Sequence, residues 1–418
     1  MNTKIKNIKA REILDSRGEP TVEVELKTDF GSFFSSVPSG VSKGKYEAVE
    51  LRDGGKRYQG KGVLKAVKNV NTIIAKKIKG KGVRNQEKID QILIELDGTK
   101  NKSRLGANAI LPVSMAVCRA GAAAERVPLY QYISQLYEVE PRKVSLPNPC
   151  LLLVEGGLHA NNELSTQEFM VSSQGSSFQQ KFQIANEIYH TLGKILKKEY
   201  GAAATGIGLE GAFDVPFLKH TKECLDLILK AAKEAGSQER VQIFLDIAAS
   251  SFFQDGVYQF EGENLTQEDL LNFYQGLLQK YPILAIEDPF FEDDWTGFQI
   301  INEKLGKEIL IVGDDLLVTN LERIKQAQKK KACNAMILKP NQIGTVTETL
   351  EAAKLGQSFD WKIVVSHRAG ETTDDFIADL AVGISADFIK AGAPAREERV
   401  AKYNRLLKIE EEIISLKK

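Results

Sequence analysis

Six ionisable side chains close six short apolar runs in the second half of the chain. VQIFLD ends at Asp246, ILAIE at Glu287 and LIVGD at Asp314, while AMILK ends at Lys339, KIVVSH at His367 and ADFIK at Lys390. Three carboxylates brought to one place without a cation repel and raise one another's pKa values. A hard divalent ion relieves that repulsion, and oxygen ligands with no Cys or His select magnesium over zinc. A lysine near such a cation and a second ammonium is pushed towards general-base competence. A metal that polarises a carboxylate, together with a lysine base, is the equipment for removing a proton α to that carboxylate. The bland alternative is a set of salt bridges sealing the end of a barrel. Six strand ends in order favour a site over a seal.

These residues need a scaffold that brings strand ends together. Segments with helical apolar spacing, such as Leu270–Leu278 and Leu321–Ala327, separate the runs. Apolar strands alternating with helices predict a parallel sheet covered on both faces. A doubly wound sheet would gather its chemistry at one switch point. Six reactive strand ends point instead to an α/β fold of the closed (β/α)8, TIM-like kind, with its site at the carboxyl-end mouth.

Upstream, residues 4–37 read as a meander of strands with turns at Ser16–Gly18 and Asp29–Gly31. Val37–Gly55 has too many small and charged residues for a core element and reads as a loop or linker. Helical patterns follow around Val63–Lys79, Gln86–Leu96 and Gly106–Ala124. The expected organisation is an α+β N-terminal capping domain, 1–138, and a barrel, 139–418, joined through the proline-punctuated Pro141–Pro149. Glu155, His159, Gln167 and Glu168 surround one glycine-rich turn, and Glu210 lies in another, GIGLEGAF. A closing helix begins near Arg396.

Composition narrows the functional classes. The 418 residues exceed one ordinary core, and apolar residues make up 43% of them. Lys+Arg and Asp+Glu both number 56, which gives no reason to expect nucleic acid as a partner. Cys118, Cys150, Cys224 and Cys333 are dispersed, as in a reducing cytosol, and form no zinc pattern. The N-terminus lacks a signal-peptide core, and no membrane span is expected. The final Lys417-Lys418 reads as a solvated tail.

Along essentially its whole length the chain resembles the enolases, the 2-phosphoglycerate hydratase/dehydratases of glycolysis. The resemblance is carried by AREILDSRGEPTVEVEL, SGVSKGKYEAVELRD, GANAI, GGLHANNELSTQEFM, LDIAAS, IEDPFFEDDW, IVGDDLLVTN, LKPNQIGT, VVSHRAGET and IKAGAPAREERVAKYNRLLKIEEE, in family order. It implies that Asp246, Glu287 and Asp314 hold a first Mg2+, and that Ser42, with the substrate phosphate, holds a second. Lys339 would take the proton from C2, and Glu210, assisted by Glu168, would protonate the departing C3 hydroxyl. Lys390 and His367 would steady the carboxylate, with Arg368 and the backbone of Ala369 at the phosphate. Gln167, Gly40 and Val41 would contact substrate, and His159 would lie on a closing loop. Val37–Gly44 thereby becomes a lid that excludes water. The resemblance also implies a cytoplasmic homodimer or an octamer built as a tetramer of dimers, with secondary surface exposure as a further role.

The departures from the family pattern cluster at the site. Glu155 stands for Asn, Leu209 for Asp, Ala212 for Gly, Ser251 for Glu and Ala369 for Ser, and Val41 and Lys43 replace Ala and Thr of the lid. Leu209 is expected to raise the pKa of Glu210 by desolvation. Two other readings stand beside it: from these changes, a paralogue abstracting an α-proton from a different carboxylate, and, from the surface-binding roles of enolase-like proteins and the terminal Lys417-Lys418, a non-catalytic binding protein.

Overall fold

The computed structural model describes residues 3–41, 44–140 and 143–416. Ser42 and Lys43 of the expected lid, Pro141 and Arg142 of the expected crossing, and Lys417-Lys418 lie outside the described residues. Alternation in PTVEVELKT buries Val22, Val24 and Leu26 on one face, as a half-buried strand requires. This segment is β2 (Pro20–Thr28), the centre of an antiparallel meander with β1 (Asn7–Leu14) and β3 (Gly31–Ser36). Helical structure follows at 64–78, then at Gln86–Asp97 and Ala107–Glu125, near the expected patterns; Leu129–Tyr137 is an additional helix. Ala107–Glu125 is long and apolar enough to cross a membrane, but its apolar stretch is 89% buried in the fold. It packs on β2 and β3 and reaches Pro340–Ile343, the turn directly after Lys339.

The second half closes into a barrel. In chain order its sheet uses β4 (Asn148–Glu155), β5 (Glu168–Ser173), β6 (Phe213–Asp214) and β7 (Val241–Asp246). A small antiparallel sheet, β8 (Phe253–Gln254), β9 (Val257–Phe260) and β10 (Glu263–Leu265), sits beside it. The barrel continues through β11 (Ile283–Glu287), β12 (Leu310–Gly313), β13 (Ala335–Leu338), β14 (Lys362–Ser366) and β15 (Phe388–Lys390). β15 pairs with β4 to close the eight-stranded ring, and β6 flanks β4.

One strand differs from a uniformly parallel barrel. β5 runs antiparallel to both of its neighbours, β4 and β7. Residues 156–167 connect β4 to β5 with only a 3-10 turn, Gly157–His159, and no crossover helix. A connection of that kind returns the chain antiparallel, whereas a parallel return needs a crossover. The inversion carries the first residue of β5, Glu168, to the same mouth as the last residues of the parallel strands.

Register aligns those ends: Glu287 pairs with Asp246, Ser366 with Lys390, Glu168 with Asp246, and Glu155 with Glu168. Polar caps start the helices that return from the strands. Ser177, Thr266, Asn320 and Thr345 each accept a first-turn N–H, a contact worth about 1 kcal/mol apiece. The meander domain docks on the loop after β14, where Ser39 and Gly370 exchange backbone hydrogen bonds of 2.8 and 2.9 Å. That contact leaves Gly40 and Val41 on the rim of the mouth.

Candidate active site

A cavity of about 170 Å3 opens at the mouth. Residues from both halves of the chain line it, including Gly40, Val41, His159, Gln167, Glu168, Glu210, Asp246, Asp314, Lys339, His367, Arg368, Ala369 and Lys390. Of the remaining expected residues, Glu287 lies beneath the floor, fully buried, in contact with Lys390, and Ser42 lies outside the described residues.

On one side stand the strand-end carboxylates. The Lys390 ammonium sits among them, 2.8 Å from Glu287 Oε2, 3.1 Å from Glu168 Oε2 and 3.4 Å from Asp246 Oδ2. Lys339 Nζ donates to Asp314, whose other oxygen accepts Gln342 Nε2 at 2.9 Å. Gln167 Nε2 donates to Asp246 at 3.3 Å. Burial and the Asp246 charge push Glu287 well above the usual carboxylate range, against the pull of Lys390. Burial also raises Asp314, but Lys339 and Lys390 outweigh it and bring Asp314 down to about 2.

Without a metal, Lys339 is shifted upwards, whereas the downward shift was expected beside a bound cation. Burial lowers it, as do Arg368 and Lys390, but the Asp314 carboxylate in direct contact more than offsets them and raises it. The three expected ligands are also not the tightest acidic group. Among the described residues, sets of three ligating atoms lie within 4.8 Å of one another in His159, Glu168 and Glu210, and in Asp288, Asp314 and Asp315.

Opposite lies a face of loops. Glu210 is buried, 3.1 Å from His367 Nε2 and 3.6 Å from His159 Nδ1, and that Nδ1 is 3.5 Å from Glu168. The Arg399 guanidinium, fully buried, donates to His367 Nδ1 at 2.6 Å. An arginine is always a donor, so Nδ1 is the acceptor and the ring proton sits on Nε2, facing Glu210. Burial, opposed by Glu210 and reinforced by Arg399, lowers His367 to about 4, so it is neutral at physiological pH. His159 is likewise lowered by burial.

Burial raises Glu210, yet the surrounding His367, His159 and Arg399 reverse the direction and hold it well below its usual value. This corrects the expectation drawn from Leu209. Glu168 takes the opposite course: burial pushes it up to about 8 despite Lys390.

Arg368 is held by Glu47 through two hydrogen bonds, 3.0 and 3.1 Å, and by Asn341 at 3.0 Å. Ala369 and Ser251, two of the positions read as departures in the sequence, line the cavity. Ala212 is fully buried beneath it.

Several residues were not anticipated. Asp288 accepts the backbone N–H of Asp314 and Asp315 at 3.0 and 2.7 Å, and so sets the angle at which Asp314 enters the mouth. Asp288 and Asp315 directly follow strand-end acids, and that doubling is their signal in the sequence. Glu47 arrives from the loop after the lid and Arg399 from the closing helix Glu397–Leu416. No local pattern marks either one.

Comparison with known proteins agrees with this architecture. Residues 5–133 match the family profile described as enolase, N-terminal domain, and residues 143–418 match enolase, C-terminal TIM barrel domain. The enolase of Eimeria tenella is 49% identical over 98% of this chain and 96% of its own length. That of Mastigamoeba balamuthi is 51% identical over 98% and 96%. The enolase of Methanocaldococcus jannaschii is 50% identical over 98% and 95%. A closed barrel with one inverted strand, an acidic mouth faced by two lysines, and half of all residues shared end to end place this chain in the enolase family.

Proposed function

We propose that this lyase, a phosphopyruvate hydratase by family, interconverts 2-phosphoglycerate and phosphoenolpyruvate with Lys339 as the C2 base and Glu210 as the group serving the C3 hydroxyl. One observation carries the assignment. Lys339, directly after β13, and Glu210, in the loop before β6, line a single cavity together with Glu168, Asp246 and Asp314.

The donor set fits a hard divalent ion: Asp246, Glu287 and Asp314 supply only oxygen, and Glu287 is held far from its preferred charge state by burial and Asp246. These three residues would hold the first Mg2+, and Ser42 a second that accompanies substrate. When bound, the ion neutralises the carboxylates and polarises the substrate carboxylate. Lys390, now among those carboxylates, and His367 orient the same end of the substrate. Arg368 addresses the phosphate through a planar guanidinium that Glu47 and Asn341 keep aimed. The backbone of Ala369, with Gln167, Gly40 and Val41, completes the contacts.

In the forward direction Lys339 Nζ accepts the C2 proton, as a free amine that a cation on Asp314 would favour by taking up the charge that holds the lysine protonated. A proton is then delivered to the departing C3 hydroxyl, which leaves as water. Glu168 is the carboxyl that retains a proton at neutral pH, and Glu210 does not. His159 Nδ1 stands 3.5 and 3.6 Å from the two, which places an imidazole beside both carboxyl groups. Residues 1–138 act as the capping domain and 139–418 as the catalytic one. Family resemblance supports a homodimer, or a tetramer of dimers, working in the cytoplasm. Purified protein mixed with 2-phosphoglycerate and Mg2+ should develop the ultraviolet absorbance of the enol product. No absorbance change at any Mg2+ concentration would overturn the assignment.

A further inference from the structure

We propose that Glu155 is a positioning residue, whose buried carboxyl group grips the peptide that carries Glu210 and so aims Glu210 at the reacting hydroxyl. The inference rests on the role given to Glu210 above. Glu155 is the last residue of β4 and is fully buried. Its Oε1 accepts the N–H of Glu210 at 3.0 Å and of Ala212 at 2.9 Å, and its Oε2 lies 3.1 Å from the same Glu210 nitrogen. It forms no ion pair among the described residues.

The other face of the same peptide is held as firmly. The carbonyl of Leu209, which shares its peptide plane with the Glu210 N–H, accepts Arg396 and Arg399 at 3.2 Å each. The Glu210 carbonyl accepts the N–H of Ala393 at 3.1 Å. Gly211, at φ +86°, turns the chain so that the N–H groups of 210 and 212 converge on one oxygen. Gly208 closes over the carboxyl group: a Cβ there would lie 2.5 Å from Glu155 Oε2.

Burial together with the Glu210 charge pushes Glu155 up to about 8. A neutral acid is matched in length and shape by glutamine, and aspartate falls one methylene short.

That difference supplies the test. C2-proton exchange with solvent reads Lys339, and overall turnover of 2-phosphoglycerate with Mg2+ also reads Glu210. In E155D turnover should fall on the order of 10²-fold, while KM and the exchange rate stay within about threefold of wild type. E155Q should restore turnover to within about tenfold of wild type. E155D with wild-type turnover, or with exchange and turnover falling together, overturns the inference and leaves the site assignment standing. A wild-type protein that neither exchanges nor turns over 2-phosphoglycerate overturns the site assignment itself, and the inference with it.

Discussion

The two sides of the barrel mouth solve the same problem in different ways. Each buries several carboxyl groups within a few ångströms of one another. On the β7, β11 and β12 side the carboxylates end parallel strands in register, and two lysine ammonium groups stand against them. On the β4–β5 side no lysine touches Glu210 or Glu155 among the described residues. Neutral histidines, backbone N–H groups and the buried Arg399 surround them instead. Counter-charge leaves the first side prepared for a cation. Dipoles and retained protons leave the second prepared to deliver a proton. The departures from the family pattern at 155, 209 and 212 fall on the second side, and none removes a strand-end acid from the first.

Removing Asp246 should strain that contrast most. D246A should lose Mg2+-dependent turnover by about 10³-fold or more, the several kcal/mol that a metal contributes to such a reaction. Its melting temperature should stay near that of wild type, because Lys390 keeps Glu168 and Glu287 as partners. Substantial residual activity in steady-state assays would break the assignment of the metal side.

A smaller effect should appear on loading the metal. Glu287 is held above its usual range by burial and Asp246, and a ligand must be ionised. Mg2+ binding should therefore release protons, and its affinity should rise with pH. Calorimetric titration in two buffers of different protonation enthalpy would show it, and identical heats in both would contradict it.

The smallest effect concerns the other side, in metal-free protein. Glu155 protonates at about 8 when folded, against 4.5 as its ordinary value. Below pH 4.5 both states carry the proton, and the group then favours folding most. As pH rises towards 8 the unfolded chain has released the proton while the folded one keeps it, so stability declines. Relative to E155Q, wild type should lose at most about 1.4 kcal/mol per pH unit across that window, then level off. Denaturant midpoints that shift in parallel for both proteins would show that Glu155 is ordinarily ionised.

Legibility in the sequence follows the same division. Asp246, Glu287, Asp314, Lys339, His367 and Lys390 could be picked out because an apolar strand that stops at a charge is a local pattern. The meander and three of the four N-terminal helical segments were legible for the same reason: period and turns lie within a few residues. The inversion of β5 was not, since it follows from a connection without a helix rather than from the strand itself. Glu168 therefore reaches the mouth from a strand's beginning. Glu47 acts on Arg368 across 321 positions and Arg399 on His367 across 32, so no local spacing could reveal them. Family resemblance marked Glu155 and Leu209 as departures. Only the shared peptide between Leu209 and Glu210 relates them physically. The direction of the Lys339 and Glu210 shifts depended on which charge each one touches, and composition carries no such information.

The division into a base side and an acid side is tested most directly by proton exchange at C2 of 2-phosphoglycerate in D2O, followed by NMR with Mg2+. In K339A both exchange and product formation should be lost by about 10²- to 10⁴-fold, the usual range for a missing general base. In E210Q exchange should continue within about tenfold of wild type while phosphoenolpyruvate formation falls by a similar 10²- to 10⁴-fold. Equal loss of exchange in the two variants, or exchange that persists in K339A, would contradict the account.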